Sequence, residues 1–137
     1  MAATLLFHAP VTRADDQAPQ SITFQKCWVA ADEPFGGHFE GTVVGDCGTG
    51  TVVFKYLSVL PGKAIWRFSG EYTVSTAGCS FTTVCTGTVD VRTGHVILNG
   101  LITVGPNLGA RVQVRAQANA DLTCSSGTMT ITPVGSE

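Results

Sequence analysis

The chain has 137 residues, of which 44% are hydrophobic and only 13% are charged, against about 25% charged in a typical soluble domain. This length suits one domain around a single core. The formal net charge of -2 gives no excess of basic residues with which to bind nucleic acid. No stretch of consecutive residues approaches the roughly 18 apolar residues of a membrane span. We therefore expect neither a nucleic-acid partner nor a membrane partner.

The N-terminal segment is predicted to be a separate, flexible arm. Residues 1–19 contain two prolines and an Asp-Asp pair without any hydrophobic period, which is typical of an unstructured terminus. The remaining residues, 20–137, are predicted to form one domain. The opening Met-Ala-Ala-Thr-Leu-Leu-Phe lacks the basic residues and the apolar length of a signal peptide. As written, the chain is predicted to be cytoplasmic, or exported if a leader has been removed.

Alternating apolar and polar residues between turn signals predict eight strands and no helix. The first five predicted strands cover residues 21–30, 39–44, 51–60, 64–74 and 80–91. The segment 93–117 is predicted to be a hairpin that supplies the sixth and seventh strands around a Gly-Pro-Asn-Leu-Gly connection at 105–109. The eighth strand is predicted over residues 127–133.

The second arm of that hairpin indicates which face is buried. Its apolar residues alternate strictly with polar ones, and we predict that they face inward: Ala110, Val112, Val114 and Ala116. The first arm is apolar on both faces, and such a strand requires cover on both sides. Apolar residues on the nominal outer faces predict a contiguous patch and hence a homodimer or homotrimer: Val53, Leu57, Val59, Ile97 and Leu101.

Eight sequential strands with short connections form a meander, which avoids exposed edges most simply by closing. We therefore predict an all-β fold, a closed eight-stranded antiparallel up-and-down barrel. Glycines within strands favour this barrel over a two-sheet sandwich, because a sheet must bend sharply there: Gly41, Gly70, Gly87 and Gly100. An eight-stranded interior is either filled by side chains or holds one small ligand.

Three segments have a pattern of glycines and alternating residues that is shared with known proteins: LNGLITVGPNLGARVQV at 98–114, GTMTITP at 127–133 and FEGTVVGDCGTGT at 39–51. They resemble small bacterial proteins of the allene oxide cyclase/dirigent barrel superfamily, and the resemblance covers about residues 37–133. It implies an eight-stranded barrel, often oligomeric, with an apolar cavity. Members include cyclases, stereo-directing proteins and natural-product cycloaddition catalysts. No catalytic residue of the plant enzymes matches by motif, so the resemblance transfers no catalytic role.

Bulky aromatic residues on the inward faces predict a ligand site, although plain core packing explains them equally well. Buried Tyr and Trp side chains need partners for their polar groups, and a ligand would supply them. The predicted ligand-binding residues are Trp28, Phe54, Trp66, Phe68, Cys85 and Met129. Tyr56 and Tyr72 are candidate catalytic residues. Because Trp66 and Tyr72 lie six residues apart, roughly 20 Å along a strand, the ligand is expected in the Trp66 half and tight packing in the Tyr72 half.

Lys26 is a third candidate catalytic residue, because it shares a predicted inward face with Phe24 and Trp28. Two interpretations stay open. In the first, the ammonium group extends out of the barrel mouth on its apolar stem. In the second, the amine lies in the cavity with a lowered pKa and acts as a base or a nucleophile.

Metal ligands and cofactor motifs are not expected, because the three histidines His8, His38 and His95 are scattered and no Cys-x-x-Cys spacing occurs. The five cysteines cannot all pair. In an exported protein the preferred disulfides are Cys47–Cys79 and Cys27–Cys124, with Cys85 a buried thiol, whereas in the cytosol all five are expected to be reduced.

These features favour a cofactor-independent barrel enzyme that templates an intramolecular cyclisation or cycloaddition of an apolar, natural-product-like substrate. The cavity would hold the reacting ends near attack distance and exclude water. Two alternatives stay open: a non-catalytic carrier of a hydrophobic ligand, and a secreted structural barrel with a filled core.

Overall fold

The computed structural model describes residues 18–135, which form a closed barrel of eight antiparallel strands in up-and-down order. The strands are β1 Gln20–Ala30, β2 Gly37–Gly45, β3 Gly48–Leu60, β4 Ile65–Thr76, β5 Ser80–Asp90, β6 His95–Val104, β7 Arg111–Ala118 and β8 Cys124–Thr132. The predicted all-β barrel is confirmed. The alternative sandwich is wrong, because β1 pairs with β8 and closes the sheet. The predicted N-terminal arm lies outside the described residues, apart from Ala18 and Pro19.

The inward face follows the period of two that the sequence predicted. Along β7, Val112, Val114 and Ala116 are buried while Arg111 and Arg115 are exposed. The same alternation around all eight strands brings one set of apolar side chains together in a single core. Within residues 18–135 no helix has the length and apolar character needed to cross a membrane.

The two ends of the barrel differ in packing. We call the end formed by the connections 31–36, 61–64, 91–94 and 119–123 the open end. The end formed by the connections 46–47, 77–79 and 105–110 is the closed end. Buried apolar side chains fill the half next to the closed end: Ile22, Val43, Val52, Val74, Phe81, Ile102, Ala110 and Ile131. Any ligand space therefore lies towards the open end.

A β-bulge in β3 alters the predicted faces. Tyr56 pairs with Gly70 of β4, but the next paired residue is Ser58 rather than Leu57. One extra residue in a strand reverses the faces that follow it. Val59 therefore points inward, opposite Phe68, and its predicted outward position is wrong.

The predicted outer apolar patch is also not contiguous. Val53 lies on β3, whereas Ile97 and Leu101 lie on β6, with β4 and β5 between them. The outer positions of β4 and β5 are mostly polar, as with Ser69 and Thr86. Leu101 is exposed, but its outer-face neighbours in the register are Val84 and Arg111. The dimer or trimer stays a prediction, without this patch as its support.

Two disulfides join the predicted pairs. Cys27 and Cys124 face each other across β1 and β8, where the barrel closes, with Cα atoms 4.0 Å apart. Cys47 and Cys79 tie two connections of the closed end together, with a Cα separation of 5.5 Å. Both separations lie within the reach of a disulfide. Cys85 is the free, buried cysteine of the described chain.

Gly70 in the middle of β4 gives the core space for an aromatic ring. A Cβ atom at this position would overlap the Cζ and Cε1 atoms of Phe54. The ring of Phe54 therefore lies directly on the β4 backbone, which only glycine permits at such close approach. This placement brings Phe54 against the residues of the candidate site.

Candidate functional site at the open end

A cavity of about 300 Å³ occupies the open-end half of the barrel, at the lower end of the range for small-molecule sites. Most of its lining is apolar or aromatic. The lining residues are Lys26, Phe39, Phe54, Tyr56, Val59, Trp66, Phe68, Tyr72, Val89, Val96, Ala116, Ala118, Asp121, Leu122 and Ser125. They range from fully buried Tyr72 to exposed Asp121, so the cavity extends from the middle of the barrel to the solvent.

Aromatic rings form a connected wall on one side of this cavity. Phe54 lies at the centre, with ring centroids 4.6 Å from Tyr72, 5.4 Å from Tyr56 and 6.1 Å from Phe68. Phe39 continues the wall, 6.1 Å from Phe54. Two of these four pairs, Phe54–Tyr56 and Phe54–Phe68, meet edge to face, the arrangement that the ring quadrupole favours, and the other two are tilted. The wall is therefore fixed by ring-on-ring packing as well as by the strands.

Lys26 brings an amine into this aromatic environment. Its side chain is only 6% exposed, and its strand neighbours are Gly41 on β2 and Ser125 on β8. The Nζ donates a hydrogen bond to Ser125 Oγ at 3.0 Å and lies 4.1 Å from the ring centroid of Phe39 and 5.1 Å from that of Phe54. The sequence interpretation in which the ammonium extends into solvent is wrong.

Burial without a counter-ion controls the chemistry of Lys26. Within residues 18–135 its amine forms no ion pair with an Asp or Glu. Desolvation lowers the pKa of Lys26 from 10.5 to about 7, because an ammonium ion loses its hydration in an apolar site. The cation–π attraction of the surrounding rings offsets part of that loss. A neutral amine, with a free lone pair, is therefore well populated at neutral pH.

Two tyrosine hydroxyls accompany the amine. Tyr72 is 1% exposed, and its hydroxyl has no hydrogen-bond partner within residues 18–135. Burial raises its pKa above the ordinary value, so the phenol is protonated at neutral pH. Burial also raises the pKa of the half-buried Tyr56. A buried polar group without a partner is uncommon in proteins and needs an explanation.

Six of the nine residues predicted for the site line this cavity: Lys26, Phe54, Tyr56, Trp66, Phe68 and Tyr72. Three do not line it. Trp28 follows Lys26 on the inward face of β1 towards the open end, with ring centroids 5.1 Å from Phe39 and 6.1 Å from Tyr56. Cys85 and Met129 are fully buried in the core, where Thr83 contacts the Cys85 sulfur at 3.7 Å. The role of each residue toward a ligand stays a prediction.

The predicted separation of Trp66 and Tyr72 between two halves is wrong, because both line the same cavity. Strands in a closed barrel tilt by about 40° from its axis, so six residues along a strand correspond to a shorter axial distance. Tyr72 also does not end its strand: Val74 and Thr76 continue β4 towards the closed end. Tyr72 is a wall residue at the inner end of the cavity.

Several lining residues were missed by the sequence predictions. Ser125 precedes the predicted start of the eighth strand at 127, whereas β8 begins at Cys124. The alternation along the strand predicts an outward position for Val59, but the bulge turns this residue inward. Phe39 shares the inward face of β2 with the buried Val43, and this alternation was a signal that could have identified it. Asp121 and Leu122 belong to the connection between β7 and β8, where no alternation of residues predicts the direction in which a side chain points.

The described residues outside this cavity offer no second chemical centre. His38 contacts Glu33 through Nδ1 at 2.8 Å and Glu40 through Nε2 at 2.6 Å, so both ring nitrogens are occupied by carboxylates. The hydrogen bond to Glu40, followed by that to Glu33, raises the pKa of His38. No group of three or more His, Cys, Asp and Glu side chains in residues 18–135 is arranged to hold a metal ion.

Comparison of the chain with protein families, with curated proteins and with solved structures gave no match. The cavity geometry is therefore the basis on which a function is argued.

Proposed function

We propose that the barrel binds an apolar small molecule in the open-end cavity, with one polar group of the ligand directed towards Lys26 and Tyr72. The observation that supports this proposal most is that an aromatic cavity contains two buried polar groups with unused hydrogen-bonding capacity. The Lys26 amine has Ser125 Oγ as its hydrogen-bond partner, and the Tyr72 hydroxyl has none within the described chain. An acceptor on a ligand would satisfy both groups, and leaving such groups unsatisfied costs about 1–3 kcal/mol each.

The catalytic form of this proposal is a templated intramolecular cyclisation or cycloaddition, in a barrel related to the allene oxide cyclase/dirigent superfamily. Two features are consistent with it: the closed eight-stranded barrel and a cavity of about 300 Å³, a volume that suits one small substrate whose reacting ends would be held near each other. Turnover of a linear, apolar precursor would separate this enzyme from a carrier that only binds. A binding site without turnover would leave the carrier as the function.

The binding proposal is tested with 2-naphthalenemethanol, a small aromatic probe with one hydroxyl, by isothermal titration calorimetry. We expect saturable one-to-one binding. Ala116→Leu adds three carbons to the cavity wall and should weaken binding about tenfold or more, or by at least about 1.4 kcal/mol. The matched control is Gln113→Leu, which adds a leucine to the outer face of the same strand and should leave the affinity unchanged. Equal weakening in both variants, or no saturable binding, would contradict the proposal.

A further inference from the structure

We propose that Lys26 condenses with the carbonyl group of an apolar aldehyde or ketone in the cavity and holds it as an imine, a ligand class that rests on the binding function proposed above. Three geometric features carry this inference. The amine is buried and lines the cavity, no carboxylate of the described chain pairs with it, and a phenol hydroxyl without a partner lines the same space.

The surroundings of the amine suit attack on a carbonyl carbon. Ser125 Oγ lies 3.0 Å from Nζ on one side and restricts the orientation of the amine. The ring centroid of Tyr72 lies 5.8 Å from Nζ, and both side chains line the same cavity, where a carbonyl group would bind. A desolvated lysine in an apolar pocket is an activated nucleophile. The wall of rings accommodates the apolar remainder of the ligand.

The proposed step is balanced without any oxidant or reductant. The lone pair of the neutral amine forms a C–N bond to the carbonyl carbon, and the nitrogen gives up a proton while the carbonyl oxygen takes one up. The hydroxyl of Ser125, 3.0 Å from Nζ, is in contact with the amine and is the candidate that relays this proton. Loss of water then breaks the C–O bond and leaves a C=N double bond to Nζ. One carbonyl compound and one amine give one imine and one water.

Other ionisable groups around the amine do not compete for this role. Tyr56 and Tyr72 line the cavity from β3 and β4, and burial raises the pKa of both. Asp121 lines it from the connection between β7 and β8, where the hydrogen bond from Thr123 Oγ1 lowers the pKa of the carboxyl group. Cys85 is buried nearby but does not line the cavity. Lys26 is the only amine among the lining residues of the described chain.

The inference is tested by incubating the protein at pH 7.5 with 2-naphthaldehyde and sodium cyanoborohydride, which reduces an imine to a stable amine. Peptide mass mapping then locates the adducts among the three lysines, Lys26, Lys55 and Lys63. We expect Lys26 to be labelled roughly a hundredfold faster than the other two, because its pKa of about 7 leaves much of its amine neutral at pH 7.5 and because this amine lines the cavity that holds the aldehyde. Lys63→Met should retain the adduct, and Lys26→Met should lose it.

A second readout does not depend on the folding of a variant. Excess 2-naphthalenemethanol, which cannot form an imine, should protect Lys26 of the unaltered protein from labelling and leave Lys55 and Lys63 unprotected. Binding of the alcohol without any adduct on Lys26 would overturn the imine and leave the binding function standing. Failure of both probes to bind would overturn the binding function itself. An adduct spread evenly over the lysines would likewise contradict the inference.

Discussion

The Nζ of Lys26 lies 4.1 Å from the centre of the Phe39 ring, so the buried amine faces an aromatic ring where most proteins would place a carboxylate. Buried charges are normally paired with an opposite charge. Here the neighbours of Nζ are the ring faces and the hydroxyl of Ser125. Desolvation without a counter-ion destabilises the charged form and keeps a reactive neutral amine next to an open cavity.

The first prediction concerns stability against pH. The folded pKa of Lys26 is about 7 and the ordinary value is 10.5, so between these values the unfolded state binds more protons. Stability from this group therefore rises with pH from about 7 to about 10.5, and its burial cost below pH 7 is on the order of 5 kcal/mol. Lys26→Met removes the ionisable group and should be more stable than the unaltered protein at pH 7.

Urea denaturation of both proteins between pH 7 and pH 9.5 checks this. The difference in the free energy of unfolding should shrink steadily as the pH rises. Lys63→Met, which replaces an exposed lysine, is the control and should show a constant difference. A constant difference for Lys26→Met as well would mean that its amine is not desolvated.

The second prediction separates the apolar wall from the phenol. With 2-methylnaphthalene, which has no polar group, Trp66→Ala should weaken binding about tenfold, since apolar contact is lost. Tyr72→Phe keeps the ring and should not change the affinity for this probe. With 2-naphthalenemethanol, Tyr72→Phe should weaken binding, because the hydroxyl that meets the ligand is lost. If Trp66→Ala and Tyr72→Phe changed the affinity for 2-methylnaphthalene equally, the placement of the ligand would be contradicted.

The third prediction concerns Gly70. Gly70→Ala should destabilise the barrel by about 1–3 kcal/mol, because its Cβ overlaps the Phe54 ring in a filled core. In a Phe54→Ala background, Gly70→Ala should lower the free energy of unfolding by clearly less. The loss that remains comes from the contact between the added Cβ and the carbonyl oxygen of Lys55. A double-mutant cycle by thermal or urea denaturation measures this coupling. Additive effects would show that the ring does not lie on the β4 backbone.

The fourth prediction compares the two disulfides. Cys27–Cys124 spans 97 residues and Cys47–Cys79 spans 32, which corresponds to chain-entropy contributions of about 5 and about 4 kcal/mol. The variant in which serine replaces both Cys27 and Cys124 should therefore be less stable than the variant in which serine replaces both Cys47 and Cys79.

The number of free thiols checks that both disulfides form. When the unaltered protein is unfolded without reductant in the presence of a thiol reagent, one cysteine per chain, Cys85, should react. Three or five reactive thiols would show that the pairs are not formed.

The fold was predictable because its determinants are local. Strict alternation in β7 and the turn residues between strands specify strands, faces and connections without knowledge of distant contacts. Short connections in a meander then leave closure between β1 and β8 as the simplest arrangement. The disulfide pairing followed from the same topology, since Cys27 and Cys124 lie where those two strands meet.

The site was less predictable because it depends on details that the pattern does not contain. One bulge at Leu57 reversed the face of Val59, and the tilt of the strands brought Trp66 and Tyr72 to one cavity. The burial of Lys26 depends on its neighbours across the strands, Gly41 and Ser125. No residue adjacent to Lys26 in the sequence indicates that register.

The central claim is that an apolar ligand occupies the open-end cavity beside Lys26. Intermolecular nuclear Overhauser effects between 2-naphthalenemethanol and isotope-labelled protein test this most directly. We predict contacts from the naphthalene protons to Trp66, Phe68 and the Lys26 methylene groups, and none to Phe81 or Ile102 near the closed end. Contacts confined to exposed apolar residues such as Leu101 and Val104, or no contacts at saturating probe, would contradict the account.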